Sequence, residues 1–208
     1  MKQKAVIVFV KNPEPGKVKT KLAKDIGDTA AADAYKQLLQ HTHDELLKID
    51  ADKFVFYLGD VNRLDLWENT LFYKQVQNGK DFGERMQNAF AFLFQLQYEK
   101  VLMIHSDSPQ LSSHHLEAAF DLLKTKDVCI GPNTNGAYYL LGLRSIFAPI
   151  FINKDWNSNI VYNTTLEDAA AAGLTVAIVD QVRVVNTLTD WLDLKHLLND
   201  QKTSAWEK

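Results

Sequence analysis

Five lysines crowd one short stretch. Lys11, Lys17, Lys19, Lys21 and Lys24 surround Pro13, Pro15 and Gly16 in KNPEPGKVKTKLAK. Positive charge on a stiff turn suits an anion, and free backbone N–H groups in such a loop, or at the start of a helix, help to hold a phosphate. The same run also reads as a solvated, lysine-rich surface turn, and the spacing leaves both readings open. A second candidate is Asp107, in HSDSP. A carboxylate there can bind a hard cation such as magnesium, which in turn neutralises a diphosphate. Asp before Ser-Pro is equally ordinary turn chemistry at the start of a helix.

Other devices are excluded or weak. A Walker loop would need Gly at position 11 and Ser or Thr at 18, where the chain has Lys11 and Val18. No two of the nine glycines are spaced G-x-G, so the dinucleotide fingerprint fails as well. There is no G-x-S-x-G elbow. His41 and His43 point apart on a helix, and His114 and His115 are adjacent, so the six histidines suggest no zinc site. His105 ends an apolar run and can line a site or serve as a structural histidine. Cys129, the single cysteine, lies in an apolar run and reads as a buried structural thiol. Trp156 can stack on a sugar or base, or close a core. Tyr138 and Tyr139 divide between cleft and core, one on each face of a strand.

The elements that must carry these residues follow from periodicity. Residues 5–10 (AVIVFV) and 100–105 (KVLMIH) are continuous apolar runs, as expected of strands buried on both faces. Each runs directly into one candidate, the lysine loop or Asp107. That is the geometry of a ligand crevice at the carboxyl ends of parallel strands. Further strands are expected at 53–58, 71–76, 127–131, 138–143, 174–179 and 182–185. Between them lie a short helix or turn at 20–27 and a long helix capped by Asp28, with Ala31, Tyr35, Leu38, Leu39, Leu46 and Ile49 on one face. A helical turn is expected at 64–67. Asp81 or a nearby group opens a helix with Met86, Ala89, Phe90, Leu93 and Phe94 on one face, and Ser112 or Ser113 caps the next. A helix at 160–172 stops at Gly173. Thr187 and Asp190 form a capping box for the last helix, which buries Leu188, Trp191, Leu192 and Leu198. The chain frays from about residue 201. Residues 145–159 form the best candidate for a loop or lid over a site. The alternation predicts one α/β domain over residues 1–208 with a mostly parallel central sheet.

The motifs KNPEPGKVKTKL, GKDFGERM, HSDSPQL, IGPNTNGAYYLLGL, WNS and VVNTLTDWLDL follow one another along nearly the whole chain. In that order they resemble the glycosyltransferase-like family associated with arsenosugar biosynthesis, within the nucleotide-diphospho-sugar transferase (GT-A) superfamily. Relatives include small nucleotidyltransferases that make molybdenum-cofactor dinucleotides or activate phospholactate. The resemblance implies a three-layer α/β/α fold. It implies that Gly16, Lys17, Lys19 and Lys21, with Lys11 beside them, embrace a nucleotide's phosphates. Asp81, Gly83 and Arg85 would line the nucleoside side. Ser106 and Asp107 would form the metal motif, for magnesium or manganese, with Asn186 at the position of a second metal ligand. Asn135, Gly136 and Tyr138 would lie on the acceptor side, together with Trp156.

The chain departs from the family pattern in four places. Asn135-Gly136-Ala137 stands for Asp-Gly-Gly, and Val185-Asn186 for an Asp-rich motif. Lys21 stands for Arg, losing the bidentate fork for phosphate. His105-Ser106-Asp107-Ser108 stands for Gly-Ser-Asp-Cys. The resemblance therefore implies a metal-dependent transfer of a glycosyl group from a nucleotide sugar to a small-molecule acceptor. Its alternatives are a nucleotidyltransferase releasing pyrophosphate and a catalytically degenerate nucleotide-binding protein. Composition fits a small anionic ligand. The 208 residues are 46% hydrophobic and 24% charged, with net charge −3. That argues against nucleic acid as the partner. No apolar run reaches membrane-spanning length, and a cytoplasmic protein is expected.

Overall fold

The computed structural model describes residues 2–156 and 158–198. The expected fraying from residue 201, and Asn157 of the WNS motif, lie outside the described residues. Seven strands form one sheet: β1 (Lys2–Lys11), β2 (Asp52–Leu58), β3 (Phe72–Val76), β4 (Tyr98–His105), β5 (Val128–Pro132), β6 (Tyr138–Leu143) and β7 (Val176–Ile178). Their spatial order is β3-β2-β1-β4-β6-β5-β7. The helices are α1 (Thr20–Ile26), α2 (Asp28–Leu47), α3 (Phe82–Gln95), α4 (Ser113–Leu122), α5 (Val161–Ala171) and α6 (Leu188–Leu194).

β1 is central because its side chains serve two cores. Val6, Val8 and Val10 face one side, with α1, α2, α4 and α6. Ala5, Ile7 and Phe9 face the other, with α3 and α5. This is the three-layer α/β/α arrangement expected. Val6, Ile7 and Val8 are completely buried, and each such side chain contributes about 1.5–3 kcal/mol relative to exposure.

β1 pairs in parallel with β2 and β4, β2 with β3, and β5 with β7. β6 alone runs against its neighbours, β4 and β5. The reversal matters for the site. Ile104 near the end of β4 lies opposite Leu140 near the start of β6. The β5–β6 connection, residues 133–137, is thereby delivered to the edge where β1 and β4 end.

Four expectations are corrected. Gly27, not Asp28, caps α2; Asp28 is its first residue and makes no capping bond. Residues 64–67 are not helical, because the backbone wraps the Asp65 carboxylate. That group accepts from the Tyr57 hydroxyl, the Trp67 N–H and the Lys74 ammonium. Residues 182–185 form no strand beyond a single bridge between Asn133 and Val182. Their backbone bonds go instead to the loop after β4: Val185 N–H donates to the Asp107 carbonyl at 2.9 Å, and the Ser108 hydroxyl donates to the Arg183 carbonyl. Leu192 is 53% exposed, and Leu194 takes the buried place on α6. Among the described residues no helix is long and apolar enough to cross a membrane.

Candidate functional site

A cleft of about 1220 Å³ opens at the carboxyl ends of β1, β2 and β4. The loops after β1, β3 and β4 wall it, together with parts of 133–138, 154–156 and 158–161. The 182–187 segment closes one side, drawn in by its bonds to Asp107 and Ser108.

At the centre are Lys19 and Asp107. Lys19 caps α1 in the left-handed region, φ 45° and ψ 42°, a conformation that costs a non-glycine residue about 1–2 kcal/mol. The side chain is only 10% exposed. Its ammonium donates to the Val185 carbonyl at 2.7 Å and lies 3.6 Å from Asp107 Oδ2. Burial pushes Lys19 below its ordinary pKa, and the charges of Asp107 and Asp190 act against that. The other carboxylate oxygen, Asp107 Oδ1, is buried without a hydrogen-bond partner.

The lysine loop divides. Lys11 and Lys21 line the cleft with Lys19, whereas Gly16 and Lys17 do not. Lys17 turns outward to an ion pair with Glu14 at 2.6 Å. Gly16 supplies the positive φ of 77° that the loop requires. Beneath the loop stands Tyr35, a residue read from sequence as core. Its hydroxyl accepts from Lys11 N–H at 3.2 Å and lies 3.4 Å from the Ser106 hydroxyl.

Asp81 and Arg85, expected on the nucleoside side, both line the cleft from the first turn of α3. Asp81 Oδ1 accepts from Glu84 N–H at 2.9 Å, so one oxygen caps the helix. The Arg85 guanidinium lies 5.8 Å from the centre of the Phe82 ring, and its Nε is buried without a partner. Phe82 also stacks on His105, with centroids 5.7 Å apart. Burial holds the His105 imidazole below its ordinary pKa; Asp107 opposes this and Lys19 adds to it.

Residues 145–156, with Ser158 and Asn159, are a docked wall. Gly83 and Gly136, expected as ligand contacts, do not line the cleft; they are the seats of that wall. A Cβ on Gly83 would lie 2.2 Å from the Phe151 carbonyl oxygen and 2.7 Å from Trp156 Nε1. A Cβ on Gly136 would lie 1.7 Å from the Asn159 carbonyl oxygen. Trp156 itself lines the cleft and meets Phe82 edge-on at 5.4 Å. Tyr138 lines the cleft while Tyr139 turns to the opposite core, donating to the Asp180 carbonyl. Asn135 also reaches the cleft, its backbone N–H donating to Asn133 Oδ1.

Asn186 lines the cleft as expected, and so does Asp190, which the sequence showed only as a helix cap. Asp190 Oδ2 accepts from the N–H groups of Asn186 and Thr187 and from the Thr187 hydroxyl. Burial raises its pKa, but those donors and Arg183 outweigh it, leaving Asp190 below its ordinary 3.8. A lowered carboxylate pKa contributes stability above the unfolded value that is lost as pH falls through the folded value. Asp190→Asn is therefore expected to flatten the stability profile below about pH 4, measured by urea unfolding across acid pH.

Whether a divalent cation suits this cleft turns on Asp107. Its unpartnered buried oxygen fits a hard cation, and magnesium commonly takes one or two carboxylates with the remaining ligands from substrate phosphates and water. Asn186 can add an uncharged carbonyl oxygen. Among the described residues no group of three or more His, Cys, Asp or Glu forms a self-sufficient metal cage. Asp107 and Asn186 are the residues that would hold a cation here, with its other ligands drawn from a bound molecule or water.

The family described as an uncharacterized protein conserved in bacteria (DUF2064) matches residues 36–158. No curated protein matches the chain. Among solved structures, the chain is similar to a "putative nucleotide-diphospho-sugar transferase" from Desulfovibrio desulfuricans G20. The two share 30% identity over 98% of this chain and 96% of that one, with a TM-score of 0.85. The inositol-1-phosphate CTP transferase of T. maritima is 13% identical, covers 97% and 96% of the two chains, and has a TM-score of 0.58. A Mycobacterium tuberculosis H37Rv protein solved in complex with manganese is 14% identical, covers 96% and 99%, and has a TM-score of 0.55. These last two share the fold.

Proposed function

The chain belongs to the bacterial family DUF2064, and on that premise we propose that it is a nucleotide-sugar-dependent glycosyltransferase using magnesium or manganese and a small-molecule acceptor. One observation carries the reading: Asp107, with an unpartnered buried oxygen, faces Lys19 in a cleft shared with Lys11 and Lys21. The 30% identity to the Desulfovibrio protein over nearly both chains supports it.

Lys19, fixed by the Val185 carbonyl, places a positive charge where negative charge grows on the leaving diphosphate. Such prepositioned charge is worth more in a partly dry cleft than in water. Lys11 and Lys21 add screening from the open side. A cation on Asp107 would supply Lewis-acid stabilisation of the diphosphate leaving group. Tyr35 steadies the strand-to-loop turn through Lys11 N–H, so the phosphate loop meets Ser106 and Asp107 in register. Asp81 and Arg85 hold the nucleoside, and Tyr138 and Trp156 shape the acceptor end.

The lysines separate by position. Lys21→Ala is expected to weaken nucleoside diphosphate affinity by about tenfold, the scale of one charge-assisted contact. Lys17→Ala should leave it within about twofold, because that side chain faces Glu14 and solvent. Isothermal titration calorimetry of both variants checks the contrast.

The deciding experiment follows products. The protein is incubated with nucleotide sugars, or with nucleoside triphosphates and sugar phosphates, with manganese and candidate acceptors. Release of nucleoside diphosphate supports glycosyl transfer. Release of pyrophosphate replaces it with nucleotidyl transfer. Binding without turnover, rescued by Asn186→Asp with Asn135→Asp, replaces it with a degenerate binding protein.

A further inference from the structure

The nucleoside end of the cleft holds three polar side chains: two with one half committed and the other unused, and a third whose charged group is wholly unused. Gln77 lines the cleft. Its Nε2 donates to the Phe56 carbonyl at 3.0 Å, over the end of β2, with the Val10 carbonyl 3.4 Å away. The amide nitrogen is therefore spent on the sheet, and the acceptor Oε1 is left over. Asp81 spends Oδ1 on Glu84 N–H, leaving Oδ2 as an anionic acceptor. Arg85 follows one turn later on α3, its own N–H donating to the Asp81 carbonyl. Its guanidinium forms no hydrogen bond or ion pair among the described residues, and its Nε is buried. Asp81 and Arg85 thus stand side by side on one helical turn without pairing with each other. Opposite charges left unpaired within one cavity point to a ligand that offers donors to one and an acceptor to the other.

We infer that this end of the cleft selects guanine, an assignment that rests on the nucleotide reading above. A carboxylate only accepts hydrogen bonds. Guanine presents two adjacent donors on its Watson–Crick edge, N1–H and the 2-amino group, and its O6 acceptor lies beside them. Asp81 Oδ2, whose two lone-pair sites are both free, accepts from N1–H and from the 2-amino group, Arg85 donates to O6, and Gln77 Oε1 accepts the remaining amino hydrogen. The other bases match poorly. Uracil has one N–H flanked by two carbonyls that a carboxylate repels. Cytosine and adenine each place a ring-nitrogen lone pair beside their amino group, so a carboxylate faces one donor and one like-charged acceptor.

Calorimetric titration of the full chain with GDP, IDP, UDP, CDP and ADP, each with manganese, tests this. IDP differs from GDP only in lacking the 2-amino group. GDP is expected to bind at least about tenfold more tightly than IDP and than the other three, since hydrogen bonds to a charged group carry that much discrimination. Asp81→Asn keeps a good helix cap, so its melting temperature should stay put while the GDP-to-IDP ratio collapses to within about twofold. Equal affinity of the native protein for GDP and IDP, or an unchanged ratio in Asp81→Asn, overturns the assignment. UDP, CDP or ADP binding as tightly as GDP overturns it too, yet leaves the nucleotide reading standing. No binding by any of the five removes both.

Discussion

Asp107→Asn is expected to lower metal-dependent nucleotide affinity by about 100-fold or more. Even loss of an outer-shell partner costs 10–100-fold in metal sites, and Asp107 is the carboxylate at the centre of this cleft with a buried, unpartnered oxygen. The substitution keeps size and shape, so the backbone bond from Val185 N–H to the residue 107 carbonyl remains. What it removes is charge. Lys19, whose side chain is 10% exposed, then keeps the Val185 carbonyl and loses its nearest anion. Breaking a well-buried pair costs 3–5 kcal/mol. This one is 3.6 Å long and Asp107 is 27% exposed, so about 1–2 kcal/mol is the reasonable share. The measurement is a titration with nucleoside diphosphate in manganese and again in chelator, alongside urea unfolding. The native protein should bind far more tightly with manganese, and the variant should show little difference between the two buffers. A variant that keeps its manganese dependence would return Asp107 to the role of a turn residue.

The sheet was legible because its strands are continuous apolar runs. Residues 5–10 and 100–105 carry so little polarity that no other placement suits them, and the motifs that follow are then fixed at the carboxyl edge. What escaped was set by partners distant in sequence. Residues 182–185 look like a strand, but their hydrogen bonds are claimed by the Asp107–Ser108 turn, which periodicity does not reveal. Asp65 looked like part of a helical turn, yet Lys74 and Tyr57 organise the chain around it. The polar residues of the cleft show the same split. Asp107 and the lysine loop announced themselves by following buried strands, but which lysines turn inward did not. Asp190 was seen only as a cap, because its approach to Lys19 depends on the fold of 182–187. Gln77 and Tyr35 carried no signal: one precedes a turn, and the other sits on the apolar face of α2. The glycines were the reverse case. Gly83 and Gly136 looked functional by position in motifs, and they serve the cleft by leaving room for its wall.

Gly136→Ala should therefore destabilise the protein strongly and displace the wall at the proposed acceptor side together with it. Two costs combine. The residue has φ 78°, in the left-handed region, where a side chain costs about 1–2 kcal/mol. A Cβ there would also sit 1.7 Å from the Asn159 carbonyl oxygen and 2.6 Å from its carbon, both backbone atoms that no rotamer change can move aside. Overpacking of this kind costs a further 1–3 kcal/mol as the backbone shifts. The sum, about 2–5 kcal/mol, should appear as a lower urea midpoint with an unchanged slope. The shift is directional: it pushes Asn159 away from the β5–β6 connection and strains the bond from Tyr162 N–H to the Gly136 carbonyl at 3.0 Å. Trp156 lies three residues before Asn159 on the same wall, so its edge-on contact with Phe82 should loosen. Gly173→Ala provides the control. Gly173 also has a positive φ, 70°, but nothing lies within 4 Å of its Cβ position. It should show the conformational cost alone, about 1–2 kcal/mol, with nucleotide and acceptor binding intact. Equal losses in the two variants would mean that the wall yields freely to a Cβ, and that Gly136 is there for its backbone angle and not for the close approach of Asn159.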